Sequence, residues 1–115
     1  MSVKIYHNPR CTKSRLTLAI LEEKDIDFKV INYLDTPPSA DELKALLVEL
    51  KLGARALMRT HEAPYKDNNL SDESLSEDDL IQAMIANPIL IERPIVKTDK
   101  GVVIGRPPKN ILAII

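Results

Sequence analysis

Val3-Lys4-Ile5-Tyr6-His7-Asn8-Pro9-Arg10-Cys11-Thr12-Lys13-Ser14-Arg15 sets a short strand directly against the start of a helix. Residues 3–6 alternate in the manner of a strand, and Asn8-Pro9 supplies turn residues. Beyond them Leu16, Ala19 and Ile20 fall at helical spacing, with Leu18 and Leu21 widening the apolar face. Cys11, the only cysteine, therefore stands close to a helix N-terminus. Unpaired backbone N–H groups and the positive end of the helix dipole gather there. Both favour a thiolate over a thiol, and both favour a bound anion. Arg10, Lys13 and Arg15 add positive charge within a few residues. A lone cysteine is more commonly a small buried hydrophobe. In this setting a reactive cysteine beside an oxyanion site is the better reading.

Outward from that stretch, residues 28–33 read as a second strand. Phe28, Val30 and Ile31 suit a buried parallel strand, joined to the first by a right-handed crossover. Pro37-Pro38 breaks the pattern. Ser39 and Glu42 have capping-box spacing ahead of a helix carrying Leu43, Leu46, Leu47 and Leu50. Gly53 is the expected residue just past its end. A short helix is expected over about 54–60, then a loop or irregular helix over 61–70. Ser76 caps a further helix with Leu80, Ile81, Met84 and Ile85 inward, ended by Asn87-Pro88. Residues 95–98 and 102–104 form a hairpin around Asp99-Lys100-Gly101, and a final helix carries Ile111, Leu112, Ile114 and Ile115. The order is β-α-β, a helical block at about 39–87, then β-β-α. The simplest fold is α/β: a four-stranded mixed sheet in the thioredoxin or glutaredoxin arrangement with a helical insertion, the whole of 1–115 forming one domain.

Composition narrows the function. The 115 residues carry a net charge of -1, with 16 basic residues interspersed among 17 acidic ones. No basic stripe is present, so no nucleic-acid partner is expected. The apolar runs are too short for a membrane span, and the N-terminus enters a strand at once rather than a signal peptide. One cysteine makes no internal disulfide, which points to the cytoplasm. Two His and one Cys, scattered, make no zinc site.

Cys11-Thr12-Lys13-Ser14 has Cys-x-x-Cys spacing with Ser14 in the second position, so any disulfide needs an outside thiol. His7 either lowers the thiol pKa as a cation or merely closes the turn. Arg93 precedes Pro94 ahead of the hairpin, where thioredoxin-like folds place a cis peptide. Arg106 follows Gly105 and precedes Pro107-Pro108, and Arg59 lies in the helical block with Arg55 one turn earlier. Alone, each arginine reads as a solvated surface residue. Together they read as guanidinium groups able to grip a tetrahedral oxyanion and offset charge developing on it.

His7-Asn8-Pro9-Arg10-Cys11 with Ser14-Arg15, Arg55-Ala56-Leu57-Met58-Arg59, Glu92-Arg93-Pro94-Ile95-Val96 and Gly105-Arg106-Pro107 resemble the motifs of the glutaredoxin-dependent arsenate reductases. The resemblance covers nearly the whole chain. Thr12-Lys13 after the cysteine, and the stop at Ile115, look like a short housekeeping branch of that family. It implies that Cys11 attacks arsenate, that Arg59, Arg93 and Arg106 hold the oxyanion, and that His7 helps keep the thiol ionised. Arg10, Ser14, Arg15 and Pro94 are then expected beside the substrate. It further implies no bound cofactor, glutathione as co-substrate, glutaredoxin as partner, and a monomer. Two alternatives remain. Thioredoxin-like regulators of RNA polymerase typically carry the Cys-x-x-Cys switch that this chain lacks. A monothiol glutathione-linked oxidoreductase for another substrate is compatible with the Cys11-x-x-Ser14 spacing.

Overall fold

In the computed structural model, which describes residues 2–115, the backbone divides into two compact units. The first comprises Met1–Thr36 with Arg93–Ile115, and the second Pro37–Glu92.

The first unit holds the sheet. Its strands are β1 (Lys4–His7), β2 (Lys29–Asn32), β3 (Ile95–Thr98) and β4 (Gly101–Ile104), in the order β2-β1-β3-β4. β1 pairs parallel with β2 and antiparallel with β3, and β3 pairs antiparallel with β4. The register aligns Ile5 with Val30 and Val96, and Val96 with Val103. Ile5 and Val96 are fully buried beside Val3, Leu21, Ile111 and Ile114. Each such side chain withdrawn from water stabilises by roughly 1.5–3 kcal/mol. Thr98 Oγ1 donates to the Ile114 carbonyl at 2.7 Å and ties the C-terminal segment to β3. Gly101 closes the hairpin at φ 149°, a conformation that L side chains avoid.

This is the mixed four-stranded sheet expected, with three local corrections. β2 is an edge strand, so Val30 is 46% exposed rather than buried, because only one neighbour covers an edge. The inward face of α1 (Thr12–Glu23) is Ser14, Thr17 and Leu21, while Leu16 is 48% exposed. Two polar residues take core positions because their hydroxyls find partners there. The last segment, Pro108–Ala113, is a 3-10 helix.

The second unit holds α2 (Ala40–Leu50), α3 (Ala54–Leu57), α4 (Ala63–Asp67) and α5 (Glu77–Ala86). Leu43, Leu46 and Leu47 of α2 and Leu80, Ile81 and Met84 of α5 are buried as their spacing requires, and Ile85 is half-buried. Ser39 Oγ accepts the Glu42 amide at 3.1 Å, and a full capping box forms at Ser76 and Asp79. Lys51, not Gly53, takes the left-handed position after α2, at φ 58°. Gly53 begins α3 instead, where the Glu77 carboxylate accepts the Ala54 amide at 2.8 Å. α3 stops at Leu57 because Met58 turns extended and bridges Ile91. The Arg59 amide donates to the Leu90 carbonyl at 2.7 Å and the Glu92 amide to the Leu57 carbonyl at 2.9 Å, which brings residues 57–59 alongside 90–92.

Candidate active site

Cys11 is the N-cap of α1, with extended backbone at φ -96° and ψ 123°. The tight loop before it is built by Asn8. The Asn8 carbonyl accepts the Cys11 amide at 3.0 Å, and its Oδ1 accepts the Arg10 amide at 3.0 Å. Asn8 is buried, which no composition rule would have suggested for a turn asparagine. No side-chain hydrogen bond caps the first turn of α1. The Ser14 and Lys13 amides favour the ionised Cys11 sulfur over the thiol.

Burial pushes the Cys11 thiol up, but the opposing contacts outweigh it. The Ser14 amide, a hydrogen bond and the positive charge from Arg93, and the Lys13 amide together hold it below the ordinary thiol value. Arg106 Nη1 lies 3.9 Å from the sulfur, the far reach of an N–H···S contact, and donates to the Arg93 carbonyl at 3.4 Å. Arg93 is thus the guanidinium that stabilises the thiolate, and Arg106 stands next to it on the solvent side. The Arg93-Pro94 and Arg106-Pro107 peptide bonds are both cis, and Pro94 is buried.

His7 is 7% exposed, and burial first, then the charge of Arg15, lowers its pKa. Both causes disfavour the imidazolium, which supports the loop-closing reading of His7. Its Nδ1 shares a 2.6 Å hydrogen bond with Ser14 Oγ, which also accepts the Asn8 amide at 3.0 Å. Ser14 is fully buried by these contacts, so its side chain has no surface to offer a substrate. Arg15 is exposed and donates to the Pro9 carbonyl at 3.0 Å and to Thr12 Oγ1 at 3.3 Å, clamping the loop. Arg10 is exposed beside the cysteine.

Arg59 belongs to the second unit. Its Nη1 donates to Glu92 Oε1 at 2.7 Å, its Nε to Glu62 Oε2 at 3.1 Å and its Nη2 to His61 Nε2 at 3.0 Å. Burial lowers its pKa, and the two carboxylates more than reverse that. Neither acid was given a role from the sequence, although Glu62 follows Arg59 at the i,i+3 spacing that pairs charges. Arg55 turns elsewhere, donating to Tyr65 Oη, the Leu70 carbonyl and the Asp72 carbonyl.

A four-stranded sheet of order β2-β1-β3-β4 with a cysteine at the head of α1, the helix that follows β1, defines a thioredoxin-like protein. The sequence pattern of the ArsC family matches residues 6–114, and the chain belongs to that family. It is 54% identical to YfgD, an uncharacterized protein of Escherichia coli K12, over 98% of this chain and 96% of that one. An arsenate reductase of Neisseria meningitidis serogroup A is 45% identical over 98% of this chain and 97% of its own. The solved structure of an arsenate reductase from Vibrio cholerae superimposes with a TM-score of 0.95 at 52% identity. That match covers 100% of this chain and 98% of the other. Among the described residues no helix is long and apolar enough to cross a membrane.

Proposed function

We propose that this chain is an arsenate reductase in which Cys11 is the nucleophile and glutathione and glutaredoxin supply the electrons. The observation that carries the reading is the convergence on one sulfur of two backbone amides and the Arg93 guanidinium, with Arg106 at 3.9 Å. Those groups favour a thiolate before substrate arrives and a bound oxyanion once it does. The thiolate attacks arsenic and displaces water, giving a thiol–arsenate ester. Glutathione then displaces a second water at arsenic. Glutaredoxin attacks the glutathione sulfur, a disulfide forms between those two, and the electron pair left behind converts As(V) to As(III). Hydrolysis frees arsenite and regenerates Cys11. Phosphate, of nearly the same shape and charge, accepts no electrons from thiols and is at most a competing ligand. No cofactor is required. Arg93 and Arg106 lie in the same unit as Cys11. The role of Arg59 is assigned by family likeness.

The test is arsenite production from arsenate with glutathione, glutaredoxin and purified protein, run beside Cys11→Ser. Turnover is expected for the parent chain and none for the variant. Equal rates for the two would overturn the proposal.

A further inference from the structure

Gly105 directly follows β4 and leads into Arg106. Its N–H donates to the Pro94 carbonyl at 2.9 Å. A Cβ built there would stand 2.6 Å from Thr17 Oγ1, 3.2 Å from Thr17 Cγ2 and 2.9 Å from Pro94 Cγ. A real Cβ essentially never shows contacts under 3.0 Å. The Gly105 backbone is therefore pressed between α1 and the proline ring with no room for a side chain. On the α1 side, Thr17 is fully buried. Its Oγ1 donates to the Lys13 carbonyl at 2.8 Å and faces the Gly105 carbonyl at 3.5 Å. Lys13 belongs to the first turn of α1, whose amides favour the ionised Cys11 sulfur.

We propose that Gly105 and Thr17 form a positioning pair that sets the distance between Arg106 and the Cys11 sulfur, and with it the affinity of the site for an oxyanion. Arg106 is exposed, and holding its long side chain in one geometry costs conformational entropy. Its reach to both the sulfur and the Arg93 carbonyl depends on where its backbone begins. That origin is fixed by the contact of Gly105 with Thr17. Neither residue touches the reacting atoms. The proposal rests on the oxyanion role given to Arg106 above.

The experiment uses the whole chain and follows alkylation of Cys11 by iodoacetamide at fixed pH while sulfate, or separately phosphate, is raised. The concentration giving half protection reads anion affinity without turnover. Gly105→Ala and Thr17→Ala are made singly and together, and circular dichroism checks the fold. Each single variant is expected to weaken protection about tenfold, the scale on which small misplacements act. Their anion-free alkylation profiles against pH should stay those of the parent, because the amides and Arg93 remain. In the double variant the space Thr17 vacated lets the new methyl move away from the Pro94 ring, and part of the protection should return. Single variants protected like the parent, or a double variant losing the product of both effects, would overturn the pair. Should Gly105→Ala fail to fold, Thr17→Val keeps the bulk and should retain protection where Thr17→Ala loses it. Equal behaviour of those two would likewise overturn it. A parent chain that neither anion protects would instead bring down the oxyanion site itself, and the pair's role with it.

Discussion

Arg106 Nη1 lies 3.9 Å from the sulfur of Cys11, a residue 95 positions earlier in the chain. The same nitrogen donates to the Arg93 carbonyl. Three segments remote in sequence, the start of α1, the cis-proline turn and the end of β4, therefore meet at one sulfur. Two of these contribute guanidinium groups of different standing. Arg93 acts on the thiolate directly, whereas Arg106 faces the solvent from which an anion would arrive.

The thiol titration is the first consequence. Alkylation of Cys11 against pH should give an apparent pKa below the free value of about 8.5. Arg93→Ala removes a hydrogen bond and a positive charge from the thiolate, so the midpoint should move up toward that value. Arg106→Ala should move it less. A midpoint in Arg93→Ala equal to that of the parent would remove Arg93 from the account.

His7 should titrate below about 6.5, its ordinary value, as followed by the imidazole carbon and proton shifts. Replacing Arg15 with Ala lifts one of the two depressing influences and should raise it. The sign for stability follows by linkage. The unfolded chain binds the His7 proton more readily, so this contribution is fully present above about 6.5 and is lost as pH falls below it. A His7 midpoint above 6.5 would restore the cationic role set aside here.

Ser14→Ala separates a loop tie from a substrate contact. The change leaves His7 Nδ1 and the Asn8 amide without their common partner in a buried site. Denaturant unfolding should show a loss of about 1–3 kcal/mol. The Ser14 amide that faces the sulfur survives the substitution, so the thiol midpoint should change little. Unaltered stability with a large rise in KM for arsenate would return Ser14 to the substrate.

Glu92→Gln weakens the short bond that holds Arg59. The pair is only partly buried, so a cost of about 1–2 kcal/mol is expected by denaturation. On the oxyanion role that family likeness assigns to Arg59, arsenate KM should rise while the Cys11 titration stays put. An unchanged KM together with the stability loss would leave Glu92 a purely structural partner.

Much of the architecture was readable along the chain because it depends on local chemistry. Period-two and helical spacing, paired prolines and the Ser39 and Ser76 caps operate over a few residues, and the elements fall close to where those signals lie. The errors are those that local pattern cannot see. Val30 is as apolar as Val96, yet one lies on an edge and the other in the middle of the sheet. Ser14 and Thr17 look like solvent residues until a neighbouring element gives their hydroxyls a buried partner. Gly53 carried the expected stop signal, while Lys51 accepted the left-handed turn.

By itself the sequence determined that one cysteine heads a helix amid positive charge, and that three arginines stand in motifs bounded by proline. It also determined the β-α-β and β-β-α order that makes a mixed sheet the natural outcome. Only the tertiary structure decided which groups act on the sulfur, that His7 is buried and bound to Ser14, and that Gly105 packs against Thr17 beneath Arg106. The reason is physical. Strand and helix formation answer to neighbours a few residues away, whereas pKa shifts and close packing answer to distance and burial in space.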